Sequence, residues 1–173
     1  MKKIEKIMTI IAISSLCFCS MTFTLSRFIK VIEGKSMQPT YEGNGKEIAI
    51  SKKQSTYNKG DIVVIQKSIT TFLIKRVIAT PGETISIEDG TIYVNDKPSE
   101  YQKEKISINS KYISEDMPPV TLSDDEYFCV GDNVNDSIDS RYYGPFNAKK
   151  MRLVTKVIDL NKKEKHKYEY TKF

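Results

Sequence analysis

The chain has 173 residues, with 27 Lys and Arg against 22 Asp and Glu for a formal charge of +5, a length that suits one domain with an appendage and is too short for two. The excess sits at the ends, in Lys2, Lys3 and Lys6 and in five lysines of 161–173, while 27–160 carries 19 residues of each sign; a neutral body has no counterions to release and argues against a nucleic-acid partner. The one histidine, His166, lies in the Lys-rich tail and the one cysteine beyond residue 26 is Cys129, which disfavours His-dependent nucleophilic catalysis, a zinc site and a disulfide within the body, and leaves no cofactor expected.

After the short segment 1–6, residues 7–26 contain no charge. Twenty residues at about 1.5 Å each reach about 30 Å, the thickness of a bilayer core. A cleaved signal peptide has a shorter apolar region and a small-residue cleavage site, for which Thr24-Leu25-Ser26 is a poor substitute, so the segment reads as a retained transmembrane anchor. Lys2, Lys3 and Lys6 before the span balance Arg27, Lys30 and Lys35 after it, and charge alone leaves the orientation open. Just past the span, Glu33-Gly-Lys-Ser-Met-Gln-Pro-Thr40 is a loop. Neither Gly34-Lys35-Ser36 nor Gly45-Lys46 has the upstream glycine of a phosphate-binding loop. A serine in such a Gly- and Pro-bounded turn is by default a turn residue.

From residue 28 the pattern is β-strands and turns. Glu47 to Ser51, Asp61 to Gln66 and Thr71 to Ile78 are short, β-branched and bounded by turn residues. Lys75 interrupts the third. By alternation it shares a face with Leu73 and Val77, while Arg76 shares the other with Ile74 and Ile78. A lysine among apolar neighbours loses hydration when charged, which lowers its pKa and makes it a base near neutrality; the structural alternative is an edge lysine whose amine reaches water. Thr84 to Glu88, Asp89-Gly90 and Thr91 to Asn95 read as a hairpin with a two-residue turn, Ile87 facing Ile92 and Ile85 facing Val94. Residues 96–124 are polar, with Pro98, Pro118 and Pro119, and read as a long surface excursion. Tyr127 to Val130 and Arg152 to Ile158 add two strands, and 161–173 reads as a solvated tail. Between the last two strands, 131–144 is dense in polar groups without the spacing or closing Glu of a calcium loop. It reads as a network bracing a site, with Asp132, Asp139, Arg76 and Arg141 as charge pairs and Ser137 supplying a hydroxyl. The fold class is all-β.

Taken together these stretches resemble type I signal peptidases, the membrane-anchored Ser-Lys proteases. Four family motifs occur in order: Ser36-Met37-Gln38-Pro39-Thr40; Gly60-Asp61-Ile62-Val63-Val64; Lys75-Arg76-Val77-Ile78-Ala79-Thr80-Pro81-Gly82-Glu83; and Gly131 through Arg141. The small size is similar to the Gram-positive members. The resemblance implies two antiparallel β-sheet regions after one transmembrane helix: a cytoplasmic 1–6, an anchor 7–26, an extracytoplasmic peptidase domain 27–160 and the tail 161–173, on the cell membrane. It implies Ser36 as nucleophile, with its backbone N–H donating to the oxyanion, Lys75 as general base, Ser137 as the serine that orients the lysine amine, and Arg76, Asp132, Asp139 and Arg141 as bracing residues. Met37 is expected beside the substrate, and Gly34, where other members carry a serine, leaves a second oxyanion donor unassigned. The implied substrates are secretory preproteins cleaved after an Ala-x-Ala-like site, and the implied surroundings are the lipid bilayer and the export translocon. Ala79 replaces a usual Gly and adds strain if that turn needs a positive φ.

Three other readings compete. A non-catalytic module binding extended peptides has no need of both Ser36 and Lys75; a self-cleaving repressor would carry a DNA-binding domain where this chain has an apolar span; relatives that use His in place of Lys do not fit Lys75.

Overall fold

The computed structural model describes residues 14–15, 28–102, 104–107 and 116–161. The expected anchor 7–26, apart from Ser14 and Ser15, and the tail from 162 with His166 lie outside the described residues; among those described, no helix is long and apolar enough to cross a membrane.

The described strands are β1 (Ile29–Glu33), β2 (Asn44–Lys52), β3 (Ile62–Gln66), β4 (Phe72–Ala79), β5 (Thr84–Glu88), β6 (Thr91–Val94), β7 (Lys97–Pro98), β8 (Met117–Thr121), β9 (Glu126–Val130), β10 (Phe146–Asn147) and β11 (Met151–Asp159). They form a seven-stranded sheet, β1-β2-β11-β3-β4-β9-β10, and a four-stranded sheet, β7-β6-β5-β8. Every pairing is antiparallel. A single helical turn, α1 (Ser140–Tyr143), lies between β9 and β10.

Strand β9 shows why the sequence folds this way. Its apolar run is buried on both faces, and alternation sends Phe128 and Val130 into one core and Tyr127 and Cys129 into another. The first core holds Ile78 of β4 against Ile85, Ile87, Ile92 and Val94 of the smaller sheet. The second joins Val77, Val63, Ile65 and Met151 with Tyr57. In the smaller sheet the hairpin has the expected register, Ile85 opposite Val94 and Ile87 opposite Ile92. Asp89 (φ 47°) and Gly90 (φ 70°) both adopt positive φ, the primed turn whose twist matches the flanking strands.

Two features differ from the sequence reading. The excursion 96–124 contributes β7 and β8 and buries Ile106. Pro118 and Pro119 lie within β8, which is tolerated because among the described residues β8 is an edge strand partnered by β5 alone. Gln102 ties the excursion down, accepting from the Ile92 N–H at 2.6 Å and donating to the Gly90 carbonyl at 2.7 Å. Ala79 is buried strand backbone, outside the positive-φ residues, and carries no such strain.

One consequence of the topology positions the site. Among the described residues β1 is an edge strand, paired with β2 alone. β4 pairs along its length with β3, but β9 engages it only at Arg76, Val77 and Ala79. The free edge of β1 and the 72–75 half of β4 flank a cleft of about 270 Å³. Truncating Phe128, which is 1% exposed between the two sheets, is expected to cost about 3–5 kcal/mol in denaturant unfolding, whereas Ile69→Ser at a position 89% exposed is expected to shift stability by less than about 0.5 kcal/mol.

Candidate active site

Ser36 lies in a 3-10 turn, Lys35–Met37, that follows β1. The turn is fixed by short-range bonds: the Gly34 N–H donates to the Gly43 carbonyl at 2.9 Å, the Gln38 N–H to the Lys35 carbonyl at 3.0 Å, and the Tyr41 N–H to the Met37 carbonyl at 3.0 Å. Met37 anchors the turn with its side chain buried, and it also lines the cleft.

Lys75 sits opposite Val63 in the β3–β4 ladder and is 3% exposed. Its Nζ lies 2.6 Å from Ser36 Oγ. Loss of hydration lowers its pKa from the usual 10.5 to about 8; the Asp139 carboxylate opposes that shift and the Arg141 guanidinium reinforces it. The amine therefore has a substantial neutral fraction near physiological pH, and the alternative of an edge lysine reaching water does not apply.

Around this pair the bracing residues form two ion pairs. Arg141 and Asp139 are both fully buried, with Nε to Oδ1 and Nη2 to Oδ2 each at 2.8 Å. Burial of two charges is costly unless the remaining lone pairs are satisfied. Here Asp139 also accepts from the Gly131 N–H at 3.0 Å and the Ser137 hydroxyl at 2.6 Å, and Arg141 donates to the Val134 carbonyl at 2.8 Å. Arg76 makes a second two-pronged pair with Asp132, at 2.7 and 2.6 Å, and donates to the Gly60 carbonyl at 2.8 Å. Thr40 donates its hydroxyl to Asp132, tying the far end of the serine loop to the same pair. Ser137 is buried beside these groups, but its proton goes to Asp139 and no hydrogen bond joins it to Lys75 among the described residues.

This arrangement combines a hydroxyl, an amine of lowered pKa within proton-transfer distance and a strand-shaped cleft, which is the equipment for acyl transfer to a serine. A family model described as "Signal peptidase, peptidase S26" matches residues 3–158. The chain belongs to this signal peptidase family. It is 36% identical over 130 residues to signal peptidase I V of Bacillus subtilis (strain 168), covering 68% of this chain and 77% of that protein. Signal peptidase I U of the same organism is 34% identical over 153 residues, covering 82% and 81%. A crystal structure of a signal peptidase I from Enterococcus faecalis V583 is 27% identical, covers 59% of this chain and 98% of that one, and has a TM-score of 0.47. Signal peptidase I is a serine endopeptidase acting on the signal peptides of preproteins, in a family that is membrane-associated.

Sequence reasoning gave this signal peptidase no role for Gly131 or Asn133, although both lie within the motif it singled out. The Asn133 N–H donates to the Ser36 carbonyl at 3.1 Å, and its side-chain amide to the Lys35 carbonyl at 3.3 Å. A Cβ on Gly131 would lie 2.3 Å from Ser137 Oγ and 2.4 Å from the Ser36 carbonyl oxygen. The signal available was a Gly-Asp-Asn run directly after a buried strand, where a backbone must approach closely. Gly131→Ala is expected to push the Ser36 loop from Lys75 and lower peptide cleavage at least about 100-fold, with a stability loss of about 1–3 kcal/mol; preproteolytic assay and urea unfolding of the same variant check both.

Proposed function

We propose that the chain is a membrane-anchored signal peptidase I that cleaves preproteins after an Ala-x-Ala-like site, with Ser36 as nucleophile and Lys75 as general base. The observation that carries the reading is the 2.6 Å separation of Lys75 Nζ from Ser36 Oγ with the amine buried. Neutral Lys75 takes the Ser36 proton as Oγ attacks the scissile carbonyl. It returns that proton to the leaving amine, giving an acyl-enzyme. It then takes a proton from the attacking water and gives it back to Oγ as the acid departs. The Ser36 N–H, which makes no hydrogen bond among the described residues, donates to the oxyanion. Ser137 Oγ gives its proton to Asp139, which leaves its lone pairs to accept from the Lys75 amine and orient it.

The substrate enters as an extended strand between the free edges of β1 and 72–75, adding backbone hydrogen bonds on either side. Ile32, Met37 and Ile74 on the cleft wall leave room only for small side chains near the bond. Segment 7–26 anchors the enzyme with 1–6 cytoplasmic and 27–160 on the outer side, beside the export translocon, so that the signal peptide reaches the cleft from the bilayer.

In detergent, Ser36→Ala and Lys75→Met are each expected to reduce cleavage of a preprotein with an Ala-x-Ala site by at least about 10⁴-fold while retaining a cooperative unfolding transition; activity surviving in Lys75→Met would assign the base elsewhere. The base acts in its unprotonated form, so kcat/KM is expected to rise about tenfold per pH unit below the Lys75 pKa of about 8 and to level above it. A profile already flat between pH 6 and 8 would contradict a lysine base.

A further inference from the structure

The Ser36 N–H is the oxyanion donor of the mechanism above, and what aims it lies outside the cleft. A peptide unit is planar and trans, so the Ser36 N–H points opposite to the Lys35 carbonyl and turns only as that carbonyl turns. The turn Lys35–Met37 holds this unit weakly by itself. Hydrogen bonds of a 3-10 turn have poorer geometry than those of an α-helix, and Gly34 ahead of the turn, at φ 83°, supplies no side-chain cap. Within the turn the Lys35 carbonyl accepts from the Gln38 N–H at 3.0 Å. A second bond comes from a distant segment, from the Asn133 side-chain amide at 3.3 Å. The Asn133 N–H in turn donates to the Ser36 carbonyl at 3.1 Å. One residue thus grips the peptide units on both sides of the Ser36 Cα.

Asn133 is itself fixed. It follows Asp132, which the Arg76 guanidinium holds through two bonds, and Gly131, which leaves room for the Ser36 carbonyl. Its own carbonyl accepts from the Asp136 N–H at 3.1 Å. Among the described residues the cleft is lined by Gly34, Ser36 and Met37 from the serine loop and by none of 131–141, so Asn133 reaches the cleft only through the backbone it holds. Hydrogen bonds in series polarise one another. A donor on the Lys35 carbonyl therefore raises the partial positive charge on the Ser36 hydrogen at the other end of the same amide. We propose that Asn133 is the positioning residue of the oxyanion donor: its side-chain amide aims and polarises the Lys35–Ser36 peptide unit, and so stabilises the tetrahedral intermediate without touching substrate. This rests on the cleavage reading above and gives Asn133 a task separate from that of Lys75.

The test uses the full chain in detergent with three probes: a peptide with one Ala-x-Ala site, a boronic acid of the same sequence ending at the scissile position, and the matching peptide amide. Boron takes the Ser36 Oγ lone pair as a fourth bond while the hydroxyl proton passes to Lys75, and the adduct presents an oxygen where the oxyanion forms; the amide reads ground-state binding. Asn133→Ala keeps its backbone N–H and is expected to lower kcat about 30-fold and boronic acid affinity by a similar factor, somewhat less than removal of a whole oxyanion donor. Amide affinity and the pH midpoint of kcat/KM near 8 are expected to stay. Asn133→Asp sets a carboxylate against the Lys35 carbonyl and is expected to lower kcat and boronic acid affinity further, by at least about 100-fold. A kcat within about twofold of wild type in both variants overturns the inference. So does a fall shared by amide affinity or accompanied by a displaced pH midpoint, which marks a general shift of the serine loop. In both cases the cleavage reading stands. Wild type that fails to cut the peptide, or Ser36→Ala that cuts it equally well, overturns the cleavage reading and this inference with it.

Discussion

The structure depends on keeping one lysine amine out of water. Lys75 occupies the middle of a central strand, 3% exposed, with a pKa brought down to about 8; a shift of that size corresponds to about 3 kcal/mol of differential interaction between its charged and neutral forms. Two carboxylates lie close enough to undo it, since Asp139 and Asp132 both favour the ammonium. Each is bound by a guanidinium through two parallel hydrogen bonds, Asp139 by Arg141 and Asp132 by Arg76. Arg141 pushes the Lys75 pKa down where Asp139 pushes it up. Pairing each acid with an arginine thus keeps the neighbourhood polar and rigid while limiting the field that would protonate the base.

The neighbouring residues fix the proposed nucleophile, Ser36. The Asn133 N–H and side chain hold the carbonyls of Ser36 and Lys35, Thr40 holds the far end of the loop to Asp132, and Gly131 admits the close approach. Gly131, Asp132 and Asn133 all follow directly on the end of β9, whose residues are buried in both cores. The serine is thereby referred to the most buried strand of the molecule rather than to its own short loop. The cost of this plan is local: β9 engages β4 only from Arg76 onward, and β1 stays an edge. In the proposed function, an extended peptide completes the sheet at those edges.

Much of this was legible in the residues, for identifiable reasons. Short β-branched runs bounded by turn residues located β2, β3, β4, β5, β6, β9 and β11, and the Asp89-Gly90 turn set a hairpin register that the structure has. Lys75 was conspicuous because a charge broke an apolar strand, and Arg76, Asp132, Asp139 and Arg141 because four charges in polar surroundings want partners. β1 was not legible, because Ile29 to Glu33 continues from a long apolar run and has no boundary of its own. β8 was hidden by its two prolines, which only an edge position accommodates. Contacts between distant segments left no trace in local pattern either: the Ser36 carbonyl with Asn133 and the Lys30 amine with Phe72 are products of topology.

The central claim is that burial lowers the Lys75 pKa to about 8, so that the neutral amine is readily reached near physiological pH, and direct titration of that amine tests it best. With lysine labelled at Cε, the Lys75 resonance is assigned by its loss in a Lys75→Gln variant and followed by NMR through the pH range. The account predicts a midpoint near 8, well below the ordinary lysine value of about 10.4. A midpoint at that ordinary value would mean that the amine is hydrated and has a neutral fraction below about 1% near physiological pH, and would contradict both the buried geometry and its use as a base.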